Sequence, residues 1–317
     1  MIFYICNVRP QSERRQGQAH RITEQDKPMT ILTDAQIRQF RETGWLLASN
    51  AVTPGQLAGL KQELKGWVSD SRNHTGMYGE TGFPKPRFDC APDHKPDHPQ
   101  LRRVNNPQEI SEIYAEVGFN SAMVDMAADL VGPAVKFHHS KVNNKQPGGS
   151  TVVDWHQDFT YTPHTNDDMV TALLLLDDMT AENGCLLVAP GSHLNGAKSL
   201  WQDGRFTGKV DAPTSDAAAA IARPVTGKAG DVCLMHSKLL HASEANVSDH
   251  PRGLFIVNYV SADAMSLAPS PMANSNEGKI LRGEAARFAR LTETSVELPA
   301  DYGSITFFEL QNPGSTS

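Results

Sequence analysis

The hydrophobic positions of the chain follow two periods, first a helical spacing and then, past Gly132 and Pro133, the alternation of strands. In L-T-D-A-Q-I-R-Q-F-R-E-T-G-W-L-L, Thr33 or Asp34 can cap a helix with Ile37 and Phe40 on one stripe; Gly44 ends it, and a short strand over 45–47 follows. The run T-P-G-Q-L-A-G-L-K-Q-E-L-K-G-W-V has Thr53 as cap, Pro54 at the first helical position, and Leu57, Leu60, Leu64 and Val68 at helical spacing. A third helix is predicted over about 107–130. Residues 71–100 are dense in Gly, Pro, Asp and His, which predicts a long irregular segment of the kind that often serves as a lid.

The second half reads as short β-type runs separated by turns: V-K-F-H-H-S-K-V-N, S-T-V-V-D-W-H-Q-D, M-V-T-A-L-L-L-L, G-C-L-L-V-A-P-G-S, D-V-C-L-M-H and G-L-F-I-V-N-Y-V. Strands at such spacing predict a sandwich or barrel. T-A-L-L-L-L has no polar face and should be buried on both sides, while S-D-A-A-A-A-I-A-R, stopped by Pro224, predicts a helical insertion. The expected architecture is mainly β with flanking α-helices. It is read as one domain over 29–317: a helical part at 29–132, a β core at 133–262, and a C-terminal loop and tail at 263–317. Residues 1–28 show no hydrophobic period and are expected to be a disordered extension, with Met29 as an alternative start; Glu13, Glu24 and Asp26 fit a transit peptide poorly.

Composition narrows the function classes. Hydrophobic residues at 39% and charged residues at 21% are ordinary globular usage, and a net charge of -7 argues against a protein that neutralises nucleic-acid phosphates. Cys6, Cys90, Cys185 and Cys233 form no C-x-x-C pair, so neither a zinc knuckle nor a redox dithiol is signalled, and a reducing cytoplasm is the expected compartment. No apolar run approaches the roughly 18 residues of a spanning helix, so no membrane partner is expected.

The chemistry begins at D-W-H-Q-D-F-T-Y-T-P, where His156 and Asp158 share a face of an extended strand. Such a pair alone is more often an ordinary surface pair. A second histidine arriving from elsewhere would complete the two-histidine, one-carboxylate set favoured by non-haem Fe(II) oxygenases, with positions open for a chelating cosubstrate and O2. Among His138, His139, His164, His236, His241 and His250, the best candidate is His241 in H-A-S-E-A-N-V-S-D-H-P-R. A hairpin about Asn246 and Val247 would set Arg252 opposite His241, with Ser243 on the same face. A guanidinium and a hydroxyl there would suit the distant carboxylate of 2-oxoglutarate. In F-H-H-S-K-V-N-N-K, alternation puts Phe137, His139, Lys141 and Asn143 on one face, whereas Asn183-Gly184 reads as a turn into a core strand rather than a site.

Taken together, K-Q-P-G-G-S-T-V-V-D-W-H-Q-D, E-N-G-C-L-L-V-A-P-G-S-H and H-A-S followed by Arg252 resemble the phytanoyl-CoA dioxygenase family, which includes ectoine hydroxylases; the similarity spans about 32–262. The resemblance implies a double-stranded β-helix, the cupin-like jelly roll, with Fe(II), 2-oxoglutarate and O2 at its mouth. It implies His156, Asp158 and His241 as iron ligands and Arg252 with Ser243 as the 2-oxoglutarate clamp. Asn143 and Lys141 fall where the cosubstrate is contacted, and His139, Arg103 and Tyr161 are expected at the substrate. The implied reaction is hydroxylation of an unactivated C–H bond of a small organic substrate, since related halogenases lack the carboxylate that Asp158 retains. Thr162 and Leu173 stand where ectoine and phytanoyl-CoA enzymes carry aromatics, so neither substrate is supported. A zinc hydrolase and a non-catalytic jelly-roll binding protein are the competing classes; the first lacks H-E-x-x-H, and the intact ligand set argues against the second. The segments 71–100 and 262–283 are the expected substrate determinants.

Overall fold

A computed structural model describes residues 31–80, 86–301, 303 and 305–312, so the extension expected over 1–28 lies outside the described residues. The chain runs α1 (Asp34–Thr43), β1 (Trp45–Ala48), α2 (Pro54–Asp70), β2 (Met77–Tyr78), β3 (Phe88–Cys90), β4 (Leu101–Asn105), α3 (Glu112–Asn120), α4 (Ala122–Val131), β5 (Val135–Lys145), β6 (Val153–His156) and β7 (Met169–Leu175). It continues through β8 (Leu186–Val188), β9 (Trp201–Gln202), β10 (Arg205–Phe206), α5 (Ala212–Ile221), β11 (Arg223–Val225), β12 (Val232–His236), β13 (His241–Ser243), β14 (Arg252–Ser261), β15 (Ile280–Arg282) and α6 (Phe307–Gln311).

The helix ends follow the local chemistry. Thr33 and Gln36, and Thr53 and Gln56, form reciprocal capping boxes at α1 and α2, and Gly44 closes α1 in the left-handed conformation at φ 82°. The single helix expected over 107–130 is two. Ser121 turns extended between α3 and α4 and donates its hydroxyl to Val117 O at 2.6 Å, the local hydrogen bonding by which serine competes with a helix.

Among the described residues the strands build a large antiparallel sheet, β1-β12-β7-β14-β5-β4-β3-β2 with β15 beside β5, and a smaller one, β11-β8-β13-β6. This is the expected jelly roll. The segment 29–132 is not purely helical, since it also supplies β1 to β4, and the irregular stretch at 71–100 carries β2 and β3 at the sheet edge. Helices α1 to α4 cover the outer face of the large sheet, where Tyr114, Phe119, Val170, Leu174, Phe255 and Tyr259 make the main core. Leu173, Leu175, Val188, Met235 and Ile256 fill the space between the sheets, so β7 is buried on both faces. No described helix is long and apolar enough to cross a membrane.

Two departures from simple alternation position the site. The β5–β14 register runs Asn258↔His139 and then Tyr259↔Phe137, leaving His138 as a bulge residue. Phe137 therefore packs edge-on against Phe119 in the core, and does not share a face with His139, Lys141 and Asn143. The predicted hairpin register is also overturned. His241 pairs with His156 and Val188 in the small sheet, whereas Arg252 pairs with Lys145 in the large one. The connection crosses between sheets because Asn246 Nδ2 donates to Lys145 O at 3.0 Å and to His250 O at 2.7 Å, tying it to the end of β5. Arg252 thus reaches the cavity from the wall opposite His241.

Candidate active site

His156 ends β6, Asp158 opens the turn beyond it, and His241 begins β13, the neighbour of β6. Each imidazole is bound at Nδ1 by a backbone carbonyl, His156 to Asp154 O at 2.8 Å and His241 to Leu239 O at 2.9 Å. Both Nε2 atoms are therefore turned toward Asp158 Oδ1, each 3.8 Å from it. That is too long for a hydrogen bond, but it suits ligands held about 2.1 Å from a common ion. The second carboxylate oxygen accepts from Thr171 Oγ1 at 2.6 Å, and Asn258 Nδ2 donates to that hydroxyl at 3.0 Å. Carbonyls behind the histidines and a hydroxyl behind the carboxylate are the supporting shell a metal site needs.

The electrostatics suit a cation. Burial and the neighbouring His241 push His156 down to about 3, and burial lowers His241 as well. Burial alone would raise Asp158, but His241, Lys141, His156 and the Thr171 hydrogen bond together hold it well below the usual carboxylate range. The resting set is two neutral imidazoles and one carboxylate, the state in which all three can ligate. His236, by contrast, lies beside Asp167 at 3.8 Å with its ring tilted against His193 at 5.0 Å, apart from this cluster.

Two cavities of about 50 Å³ each meet at Asp158, Lys141, Arg103 and Phe307. The inner one runs between the sheets and holds Asn143, Ser243 and Arg252 as expected, with apolar walls from Leu173, Leu186, Met235, Leu254 and Ile256. Arg252 is buried; its Nη2 donates to Gly184 O at 2.8 Å, and its Nε has no hydrogen-bond partner among the described residues. Burial lowers even this guanidinium, to about 10. An orphaned donor on a buried cation, in the same cavity as the triad, fits a carboxylate bound there.

The sequence reading missed Lys145, Gly184, the Thr171–Asn258 pair and α6. Lys145, next on the cavity face of β5 after Lys141 and Asn143, donates to Ser243 Oγ at 2.8 Å and to Glu244 O, so a second amine stands beside Ser243; the same alternation could have found it. Gly184, read as a mere turn, supplies the carbonyl that orients Arg252. Thr171 and Asn258 support Asp158, and nothing local in their strands marks them. The fourth is α6. Phe307 lies 5.2 Å from the His156 ring and 5.0 Å from the Arg103 guanidinium, and Phe308 lies under Arg102 at 4.3 Å.

The outer cavity holds His139, Arg103 and Tyr161, with Met77, Asp89, Met272 and Phe307 around them. Met77 and Asp89 come from 71–100 and Met272 from 262–283, so both expected determinants border it. Arg103 is buried, with Nε donating to Asn143 Oδ1 at 3.0 Å. The Tyr161 hydroxyl is committed to Gly208 O, so this residue offers the cavity its ring face.

A buried facial set of two histidines and a carboxylate at the mouth of a jelly roll defines the non-haem iron oxygenase class, and comparison with known proteins agrees. Residues 40–254 match the family model described as phytanoyl-CoA dioxygenase, and the chain belongs to that family. It is 30% identical to the probable alpha-ketoglutarate-dependent hypophosphite dioxygenase of Stutzerimonas stutzeri, over 63% of this chain and 71% of that protein. It is 27% identical to the L-proline trans-4-hydroxylase of Streptomyces griseoviridis, over 72% and 86%. The crystal structure of EctD from S. alaskensis with bound Fe superposes with a TM-score of 0.64 at 21% identity, covering 80% of this chain and 88% of that one, which shows the shared fold. The chain is an iron- and 2-oxoglutarate-dependent dioxygenase.

Proposed function

We propose that this dioxygenase hydroxylates a small molecule seated in the outer cavity, with His156, Asp158 and His241 holding Fe(II), and Arg252, Ser243 and Lys145 holding the distant carboxylate of 2-oxoglutarate in the inner one. When bound, the metal with O2 supplies the oxidising power, and 2-oxoglutarate leaves as succinate and CO2. The chain supplies geometry. Backbone carbonyls fix both imidazoles with Nε2 inward, and Thr171 leaves one oxygen of Asp158 for the metal, with Leu173, Leu186, Met235, Leu254 and Ile256 as the apolar part of the inner wall. Phe307 stands where the two cavities meet and bounds the reacting volume.

The observation that carries this reading is the pairing of a preorganised triad with a buried guanidinium whose Nε lacks a hydrogen-bond partner among the described residues. A zinc hydrolase would want a water-activating carboxylate beside the metal; Asp89, the other acid at these cavities among the described residues, is tied to Arg102 at 3.1 Å. Adding Fe(II) and 2-oxoglutarate without oxygen is expected to give the weak visible charge-transfer absorption of a chelated ketoacid, and a substrate screen is expected to stimulate succinate release. A protein that binds both without that absorption would refute the reading.

A further inference from the structure

We propose that α6 is a latched gate over the inner cavity, that 2-oxoglutarate enters when α6 lifts, and that Gln311 is the positioning residue that latches it shut. The inference rests on the assignment of the cosubstrate to that cavity. α6 lies beyond residues 40–254, the part of the chain that matches the family model. Nearly every residue lining the inner cavity stands on a strand of one sheet or the other; the exceptions among the described residues are Thr151, Asp158, Phe307 and Phe308. Asp158 is held by Thr171, and the turn at Thr151 runs directly from β5 into β6. No strand adjoins α6 in this way. β15, the strand before it, ends at Arg282, and Trp201 Nε1 donates to Leu298 O at 3.1 Å along the way. Past that point Gly303 N–H bonds within the connection, to Asp301 Oδ1 at 2.8 Å, and Ile305 is exposed.

Space makes a movement necessary. The inner cavity measures about 50 Å³, against about 150 Å³ for a protein cavity that takes benzene, and 2-oxoglutarate is larger than benzene. Even the two cavities together fall short of that volume. Segments held by few bonds open at lower free energy than strands inside a sheet, so the wall that yields is α6. What holds it is one fully buried side chain and a set of ring contacts. Gln311 accepts from Asp154 N at 3.0 Å and donates to Gly208 O at 2.8 Å, while Phe307 and Phe308 lie against the Arg103 and Arg102 guanidiniums. The seat is close-fitting, since a Cβ on Gly208 would come within 2.7 Å of Leu310 Cδ2. Asp154 also joins the latch to the triad: its N–H bonds to Gln311, and its carbonyl accepts from His156 Nδ1 at 2.8 Å. A short element docked this way can admit a ligand and close over it.

The test mixes the full chain carrying Fe(II) rapidly with 2-oxoglutarate in the absence of oxygen, and follows the rate at which the visible band forms. A gate that opens before binding makes this rate level off as 2-oxoglutarate is raised, at a ceiling set by opening. Gln311→Ala removes both latch hydrogen bonds and is expected to raise the ceiling about tenfold, with the band at full amplitude. Gln311→Glu keeps the acceptor for Asp154 N and loses the donor to Gly208 O, so its ceiling should fall between. A merely structural role would lower the amplitude or the thermal stability and leave the ceiling in place. The inference is overturned if the wild-type rate stays proportional to concentration throughout, or if Gln311→Ala leaves the ceiling unchanged. A second measurement needs neither variant nor metal. In the wild-type chain, the Leu310 and Asn312 amides, bonded to Thr306 O and Phe308 O, should exchange hydrogen faster than the amides of β6 and β13. Exchange as slow as in those strands overturns the gate. A band that never forms marks failure of the metal reading instead, and hydrogen exchange then decides the gate alone.

Discussion

The inner and outer cavities share a boundary and differ in how they are built. The inner one takes its chemistry from strands of both sheets: Asn143 and Lys145 on β5, Thr171 and Leu173 on β7, His241 and Ser243 on β13, Arg252 and Ile256 on β14. The outer one leans on β5 and β14 at one side only. The rest is edge strand, the turn at Tyr161, the loop at Met272, and α6. Side chains on hydrogen-bonded ladders are held more closely than side chains on loops. On the proposed assignment, metal and cosubstrate would sit on the ladders, and substrate choice on the part that can change without disturbing the barrel.

Experiments can break this division, beginning with the largest effect. Replacing His241 by alanine removes a ligand and should lower 2-oxoglutarate turnover by more than the roughly 10- to 100-fold typical of losing a supporting residue, with the visible band gone. His236→Ala, outside the cluster, should keep the band; equal loss in both would show that the triad is not the metal site.

Next comes the clamp. Arg252→Met removes a buried cation and should weaken 2-oxoglutarate by about 2–5 kcal/mol, read as its half-saturation in a succinate assay. Gly184→Ala attacks the same group from behind: φ is 72°, and a Cβ would lie 2.5 Å from Glu244 O and 3.0 Å from Lys145 Cδ. The conformation alone costs about 1–2 kcal/mol. A variant with unchanged thermal stability and unchanged cosubstrate affinity would contradict this account of the turn.

Phe307→Ala opens the wall between the cavities and loses ring contacts of about 0.5–1.5 kcal/mol. A rise of about two- to tenfold in substrate half-saturation is expected, with more 2-oxoglutarate consumed per product formed. If product and succinate stay in strict proportion, α6 does not bound the reacting volume.

The smallest effect is a pH dependence. Burial and then the Arg252 charge press Lys145 from 10.5 down to about 6. Between those values the unfolded chain binds more protons than the folded one, so this lysine makes the free protein gain stability as pH rises through the window and lose it as pH falls toward 6. A bound dianion restores the ammonium, so 2-oxoglutarate binding should take up protons and weaken above about pH 6. Calorimetry in buffers of different ionisation enthalpy measures that uptake, and Lys145→Met should abolish it.

Local signals carried the helices and the metal set: the caps at Thr33 and Thr53, the alternation of β5 from His139 onward, and the H-x-D pair need only neighbours in sequence. The partner of β13 was not legible. A short connection between β-type runs can fold back within one sheet or cross to the other, and here Asn246 bonding to Lys145 O decides, a contact 101 residues distant. Phe307 was hidden for a similar reason. Nothing in T-F-F-E-L-Q signals a metal-site wall; α6 is placed by Gln311, which accepts from Asp154 N at 3.0 Å and donates to Gly208 O at 2.8 Å.

The bulge at His138 reaches beyond one displaced phenylalanine. Up to it, the odd-numbered positions of β5 belong to the helix-facing core; past it they belong to the catalytic chamber. Were His138 instead taken into the ladder, plain alternation from Phe137 would exchange the two roles, sending Ser140 and Val142 inward and exiling Lys141 to the packing under the helices. One irregular peptide therefore sets which residues of a strand line the chamber, and flattening it without removing a residue would turn that half of the strand inside out while leaving the composition untouched.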